Sequence, residues 1–139
     1  MTHCTFCSIV EGTSPSETIY ADDHAIAFMD LLPMTPGHCL VIPRAHVTDI
    51  WDLDDDTAGH VMRAATRVAH LQRERLSPAG INVLNNNGRL ADQSQFHFHM
   101  HMIPRFGNDR LLHPWERTFG NREEISFVAQ VLRGERDLD

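Results

Sequence analysis

The sequence predicts an α+β domain with a mostly antiparallel sheet of five strands, one long helix and a C-terminal helix. Five short segments rich in β-branched and aromatic residues are separated by turn residues, as short strands usually are. Apolar residues at helical spacing occur between the third and fourth of these segments and again near the end of the chain. Because strands and helices do not alternate as in a parallel βαβ sheet, the α+β class is favoured.

The predicted strands follow one another closely. The pair Asp22-Asp23 suits a tight connection between the first two, and a longer turn from Leu32 to Gly37 precedes the third. Neighbouring strands joined this tightly pair antiparallel. The predicted strands are Thr18 to Ala21, Ala25 to Asp30, His38 to Pro43, Ile81 to Asn85 and Phe96 to Ile103.

Both predicted helices carry start signals. Three acidic residues, Asp54 to Asp56, lie at the positive end of the first helix dipole. Asn121 and Glu124 form a capping box for the second helix, which ends at Gly134. The apolar positions of the first helix are Ala58, Val61, Met62, Ala65, Val68 and Ala69, and those of the second are Ile125, Val128, Ala129 and Leu132.

Composition limits the possible functions. The 139 residues, 42% of them hydrophobic, suit one domain over residues 1–139. A formal net charge of −7 argues against sequence-independent binding of nucleic acid, which requires a basic face. No charged start leads into an apolar stretch, and no apolar run approaches the roughly 18 residues of a membrane span. We therefore expect a cytoplasmic protein without a membrane or nucleic-acid partner.

The chain has three cysteines, and two of them form the motif Cys4-Thr5-Phe6-Cys7. In a reducing compartment a C-x-x-C pair indicates a metal or redox site, and the motif alone does not decide between the two. Cys39 lies in an apolar run and is expected in the core.

The run His97-Phe98-His99-Met100-His101 carries the chemistry. On a strand the three histidines share one face, while the apolar residues between them point into a core. Three surface histidines at period two are improbable by composition alone. A metal site within the run is a second interpretation, but its first and third histidines lie about 13 Å apart, so one ion would take two of them plus ligands from elsewhere.

The third interpretation makes His99 a nucleophile. Neutral imidazole attacks phosphorus well at pH 7. A backbone carbonyl that accepts a hydrogen bond from Nδ1–H would leave Nε2 free to attack. Gln93 and Ser94, just upstream, can supply polar contacts to a phosphate oxygen or a leaving group.

The segment His97 to Ile103 resembles the signature of the histidine triad (HIT) family, in which three histidines alternate with apolar residues. The resemblance runs from about Cys4 to about Phe106. The other matching segments are Phe28-Met29-Asp30, Pro36-Gly37-His38, Val41-Ile42-Pro43-Arg44-Ala45-His46, Leu84-Asn85-Asn86-Asn87-Gly88, Gln93 and Pro104-Arg105.

The resemblance implies a HIT-like fold and a nucleotide hydrolase or transferase that forms a covalent nucleotidyl-histidine on His99. The bond cleaved would be a P–N or P–O–P bond at the α-phosphate of a purine nucleoside phosphoramidate or a dinucleoside polyphosphate. His101 would contact the α-phosphate, and Gln93 and Ser94 would lie beside the leaving group.

Further roles follow from the same resemblance. Asp30 matches the acid that binds ribose hydroxyls, Asn86 its partner at the phosphate or ribose, and Phe28 a nucleotide-binding position. Family members are commonly homodimers joined edge to edge, which also protects an open sheet edge. Bacterial members that begin with C-x-x-C carry a structural zinc, here implied on Cys4, Cys7, His46 and His97. Such a set is closed and tetrahedral, without a free position for water.

Two positions depart from the family pattern. Asp92 stands where glycine is usual, so its charge would oppose polyanions and its Cβ restricts the turn. Gln95 stands where an aliphatic residue is usual. Trp115 suits either closure over a base or a core or dimer contact. Two other functions stay open: a nucleotide-binding sensor or adaptor with little turnover, and a metal-dependent enzyme on the triad.

Overall fold

The computed structural model describes residues 4–109 and 116–138. This part of the chain contains three α-helices and five β-strands, which confirms the predicted α+β class. In chain order they are α1 (Thr5–Glu11), β1 (Thr18–Ala21), β2 (Ala25–Met29), β3 (Cys39–Pro43), α2 (Asp55–Leu76), β4 (Gly80–Leu84), β5 (Met100–Arg105) and α3 (Arg122–Leu132). Two short 3-10 turns lie at Ile50–Asp52 and Arg89–Ala91.

The five strands form one sheet in the order β1-β2-β3-β5-β4, and every neighbouring pair is antiparallel. The tight β1–β2 connection depends on Asp22, whose Oδ1 accepts hydrogen bonds from the backbone N–H groups of His24 and Ala25, both at 2.8 Å. An aspartate that bonds the backbone two residues ahead favours a turn. The sequence signal and the observed connection therefore have the same cause.

Both faces of the sheet are covered. Ala27, Val41 and Met102 pack on one face against α2, through residues such as Val61 and Val68. On the opposite face Phe6 of α1 packs against four apolar side chains of β2 and β3, namely Ile26, Phe28, Leu40 and Ile42. Side chains alternate between the faces of a strand, so strands covered on both sides are apolar throughout. The catalytic candidates lie on the α1 face.

Helix α1 was not predicted. It has seven residues, too few for a periodic pattern, and its N-cap is Cys4, whose Sγ accepts a hydrogen bond from the backbone N–H of Cys7 at 3.3 Å. Thiols are not among the residues that signal an N-cap in a sequence. The helix nevertheless matters for the site, because it places Cys4 and Cys7 on either side of Phe6.

The predicted bounds of the last strand were wrong at both ends. It was expected over Phe96 to Ile103, but β5 runs from Met100 to Arg105. The register pairs Met100 with Val41, so a longer β5 would pair His99 with Ile42 and Phe98 with Pro43. Proline has no N–H to donate to a ladder. The backbone N–H of Phe98 instead donates to the carbonyl of Val47 at 2.6 Å.

Strand β4 is an edge strand with little cover. Val83 is 49% exposed and Leu84 is 38% exposed. Among the helices of residues 4–109 and 116–138, none is long and apolar enough to cross a bilayer. The cytoplasmic location and the single domain over residues 1–139 stay predictions.

Asp92 adopts a left-handed backbone conformation with φ of 68° at the end of the second 3-10 turn. Glycine adopts this conformation without the steric cost of a Cβ. We expect Asp92→Gly to raise the free energy of unfolding by about 0.5 kcal/mol in a urea titration. Asp92→Asn is the control, since it removes the charge and keeps the Cβ. An equal gain from both variants would mean that charge, and not backbone strain, sets the effect.

Candidate active site

The three histidines of the triad are almost completely buried. His97 is 0% exposed, His99 4% and His101 6%. The ring of Phe6 lies edge-on against His97 and His99, with centroid distances of 6.0 Å and 5.4 Å. Phe98 and Met102 point into the opposite core, as the alternation predicts. Each histidine has a different set of partners.

The hydrogen bond that His99 makes fixes its tautomer. Its Nδ1 lies 2.8 Å from the carbonyl oxygen of His97. A carbonyl only accepts, so Nδ1 carries the proton and Nε2 keeps its lone pair. Burial lowers the pKa of His99 and outweighs the opposing effect of that hydrogen bond, so the ring is neutral at pH 7. The expected orienting carbonyl therefore belongs to the first histidine of the triad.

His101 belongs to a chain of hydrogen bonds that fixes its tautomer. The backbone N–H of Met34 donates to Nδ1 of His38 at 3.0 Å, so the proton of His38 is on Nε2. His38 Nε2–H then donates to Nδ1 of His101 at 2.9 Å. His101 is left with its own proton on Nε2, where it can donate to a phosphate oxygen.

Burial also keeps this pair neutral. Desolvation is the main cause that lowers the pKa of His38 to about 4 and that of His101 to about 3. The sequence marked His38 only as part of the third predicted strand and of a family-matched segment, so its part in this chain of hydrogen bonds was missed. The signal in the sequence was the position of His38 directly after Pro36-Gly37. In the structure Gly37 has φ of 90°, and a Cβ added to it would overlap Leu76.

Asp30 lies just beyond the end of β2 and is buried. Its Oδ1 accepts from the backbone N–H of Leu32 at 2.9 Å, and its Oδ2 accepts from Nη2 of Arg117 at 2.6 Å. His38 Nε2 lies 3.4 Å from the same Oδ2. Burial opposes ionisation, but His38 and Arg117 outweigh it and lower the pKa of Asp30. Because His38 is neutral at pH 7, the guanidinium of Arg117 is the positive charge that balances the Asp30 carboxylate.

Arg117 was not identified from the sequence. It lies 87 positions after Asp30 and outside both predicted helices. Trp115, just before it, falls outside the described residues, so its two interpretations stay open.

The loop before β5 is held together by Gln93. Its side-chain Oε1 accepts from the backbone N–H of Gly88 at 2.8 Å, and its Nε2 donates to the carbonyls of Thr48 and Gln95 at 2.8 Å and 3.0 Å. Ser94 is exposed in the same loop. The structure therefore gives Gln93 a loop-bracing role, and the contacts of Gln93 and Ser94 with a leaving group stay predictions.

Two further predicted residues lie beside the site. Asn86 is half-buried in the segment after β4. Phe28 is buried, with its ring 5.3 Å from that of Phe6. Their roles in nucleotide binding stay predictions. A residue that was missed, Asn85, donates from Nδ2 to the carbonyl of His99 at 2.8 Å and so braces the backbone at His99.

Two thiols and two imidazoles converge beside the triad. The ligand atoms of Cys4, Cys7, His46 and His97 all lie within 4.8 Å of one another. Cys7 Sγ lies 3.2 Å from His46 Nδ1, and Cys4 Sγ lies 3.5 Å from His97 Nδ1. A tetrahedral zinc with bonds of about 2.3 Å to sulfur and about 2.0 Å to nitrogen separates such atoms by about 3.5 Å. The spacing of these donors fits zinc.

The surroundings of the cluster support the same assignment. Nε2 of His97 lies 2.8 Å from the carbonyl oxygen of Pro43, so it donates there and leaves Nδ1 free to ligate. Burial, and then the adjacent Cys4 thiol, raise the pKa of Cys7 to about 11. A bound divalent cation would stabilise both thiolates and so offset the cost of deprotonating two adjacent thiols.

The geometry does not favour a metal on the triad itself. His97 faces the cysteines, His99 faces the backbone carbonyl of His97, and His101 faces the His38 ring. The three imidazoles therefore do not converge on one point. A second group of possible ligands, Asp30, His38 and His101, also has donors within 4.8 Å. Its two imidazoles are already joined by a hydrogen bond, and Arg117 already neutralises its carboxylate.

Comparison with known proteins agrees with this geometry. Residues 11–108 match the HIT domain. Protein hit of Bacillus subtilis is 44% identical over 105 residues, which cover 76% of this chain and 72% of that protein. A Hit-like protein of Bartonella henselae has a TM-score of 0.87 at 30% identity, with coverage of 96% of this chain and 97% of that one.

Two further solved structures bear on the site. A zinc-bound histidine triad family protein of Mycobacterium smegmatis has a TM-score of 0.83 at 34% identity. A hypothetical histidine triad nucleotide-binding protein of Sulfolobus tokodaii has a TM-score of 0.85 at 29% identity. Both alignments cover 95% of this chain and 91% of the other. With the triad, the sheet order and the family match in agreement, the chain belongs to the histidine triad family.

Proposed function

We propose that this chain is a nucleotide hydrolase or transferase that forms a covalent nucleotidyl-histidine on His99. The observation that carries the proposal is the hydrogen bond from His99 Nδ1–H to the carbonyl of His97, since it leaves a neutral Nε2 free to attack. The substrate class is a purine nucleoside phosphoramidate or a dinucleoside polyphosphate. The likeness to a protein named as nucleotide-binding supports a nucleotide ligand.

The reaction has two steps. In the first, the lone pair of His99 Nε2 forms a bond to the α-phosphorus while the P–N or P–O bond to the leaving group breaks, and the leaving group departs with that electron pair and takes up a proton. In the second, the oxygen of water or another acceptor attacks the same phosphorus and gives up its proton, which balances the proton taken up by the leaving group. The electron pair of the His99–phosphorus bond returns to Nε2, and neutral His99 is restored.

Two neighbours assist both steps. The imidazolium formed on His99 is stabilised through Nδ1–H by the His97 carbonyl, which is already in place. His101 Nε2–H donates to an oxygen of the α-phosphate, where negative charge increases in the transition state. The His38 hydrogen bond keeps that proton on the side of His101 that faces away from His38.

The metal has a structural role in this proposal. Cys4, Cys7, His46 and His97 hold one zinc, which, when bound, cross-links α1 to the segments that follow β3 and precede β5. The four protein ligands leave no position for water, so the metal does not take part in the reaction. We also propose a homodimer joined through the exposed edge of β4.

A nucleotide-binding sensor or adaptor is the second candidate function. The low exposure of His99, 4%, favours it, because a buried imidazole is harder for the phosphorus of a bound nucleotide to reach.

Turnover of an adenosine 5′-phosphoramidate distinguishes the two functions. We expect release of AMP and, after a rapid acid-free quench, a nucleotidyl adduct that peptide mass spectrometry locates on His99. Binding of the compound without release of AMP would support the sensor. Release of AMP with the adduct on a different residue would contradict the role of His99.

A further inference from the structure

A short segment that follows the family-matched region lies directly over Asp30. We call residues 116–120 the strap. The backbone N–H of Gly120 donates to the carbonyl of Leu31 at 2.8 Å, and Nε of Arg117 donates to the carbonyl of Leu32 at 2.7 Å. These carbonyls belong to the two residues after Asp30. The strap is therefore anchored to the backbone beside the carboxylate.

The close approach of the strap depends on Gly120. A Cβ built at Gly120 would lie 2.9 Å from two ring carbons of Pro33 and 3.0 Å from Ile125. Any residue other than glycine at position 120 would force the strap outward. At the other end of the strap, the side chain of Arg117 is 13% exposed and its Nη2 lies 2.6 Å from Asp30 Oδ2.

Both carboxylate oxygens of Asp30 are already engaged. Oδ1 accepts from the backbone N–H of Leu32, and Oδ2 accepts from Arg117 and lies 3.4 Å from Nε2 of His38. Asp30 is only 6% exposed, so a ribose 2′,3′-diol can reach the carboxylate only if one of these neighbouring groups yields. Leu32 donates from the backbone and His38 is held by His101, whereas Arg117 is a partly exposed side chain.

We propose that Arg117 is a specificity-determining residue that competes with ribose hydroxyls for the carboxylate of Asp30. This inference rests on the proposed function, because it takes the nucleotide ribose as the ligand of Asp30. Arg117 lowers the affinity for a nucleotide that must use the diol, and it has little effect on a nucleotide that lacks the diol. The strap sets the strength of the competition by holding the guanidinium in place.

Binding of AMP and of 2′,3′-dideoxy-AMP, measured by titration calorimetry, tests the competition. We expect Arg117→Gln to bind AMP about tenfold more tightly than the wild-type chain, the size expected when one charge-assisted hydrogen bond no longer has to be broken. Affinity for the dideoxy analogue should change by less than about twofold. Arg122→Gln, an exposed substitution of the same kind on α3, should change neither affinity.

A second variant covers the case that Arg117→Gln does not fold. Gly120→Ala keeps the guanidinium but pushes the strap off Pro33, so it should also tighten AMP more than the dideoxy analogue. Weaker AMP binding to either variant, or an equal change for both nucleotides, would overturn the competition and leave the proposed function standing. Failure of AMP to bind the wild-type chain and both folded variants would overturn the proposed function and the competition with it.

Discussion

Replacing His99 by alanine is expected to lower the turnover of an adenosine phosphoramidate by about 10⁴-fold or more, because loss of a covalent nucleophile removes the intermediate itself. Burial of the His99 ring and its bond to the His97 carbonyl make some loss of stability unavoidable, about 1 to 2 kcal/mol. The assay therefore belongs at a temperature well below the midpoint of the variant's thermal unfolding.

A matched substitution separates the chemical effect from a general one. His70→Ala changes an exposed histidine on α2 and should retain full activity. The His99 variant should still bind AMP, since the residues assigned to the nucleotide are unchanged. Turnover within a few-fold of the wild-type rate would refute covalent catalysis by His99, whatever its effect on stability.

Replacing Cys4 and Cys7 together by serine is expected to remove one zinc per chain and to lower the free energy of unfolding strongly. A metal that binds only the folded state adds about 4 kcal/mol when its free concentration is about 1,000 times its dissociation constant. Helix α1 has only seven residues, and Phe6 covers the triad from within it. Loss of the zinc cross-link should therefore also release Phe6 from its position over the triad.

The structure also predicts a smaller effect of zinc on activity. His97 offers Nδ1 to the metal, and its backbone carbonyl orients His99. Substitutions that disturb the groups behind a functional residue typically cost about tenfold or more, so we expect a loss of about tenfold in turnover. This is far below the loss expected for His99→Ala.

Elemental analysis and thermal unfolding measure the two effects of the cysteine substitutions. Cys39→Ser is the control, because it replaces a buried cysteine in the opposite core and should leave the zinc content unchanged. Wild-type protein purified without chelator but free of metal would contradict the zinc site. Full zinc content in the double serine variant would contradict the assigned ligands.

Local patterns in the sequence were sufficient for most of the fold. The bounds of strands β1 to β4 were predicted to within one residue at each end. The starts of helices α2 and α3 were also predicted to within a few residues. Helix α2 extends to Leu76, beyond the last apolar position predicted for it. Their signals are short-range. The side chain of Asp54 caps α2 by accepting a hydrogen bond from the backbone N–H of Thr57 at 2.7 Å. The side chain of Asn121 caps α3 by accepting one from the backbone N–H of Glu124 at 3.0 Å. Hydrophobic alternation and capping act within a few residues, so they are readable from the chain itself.

By itself, the sequence determined the α+β class and the three histidines at period two, and through family resemblance it predicted the four candidate zinc ligands whose donor atoms converge in the structure. Only the tertiary structure decided which partner each histidine meets. Nε2 of His97 donates to the carbonyl of Pro43, 54 positions earlier, and Nδ1 of His101 accepts from His38, 63 positions earlier. Arg117 reaches Asp30 because Gly120 lets the strap lie against Pro33. Contacts of this kind depend on close packing between distant segments, which no local pattern encodes.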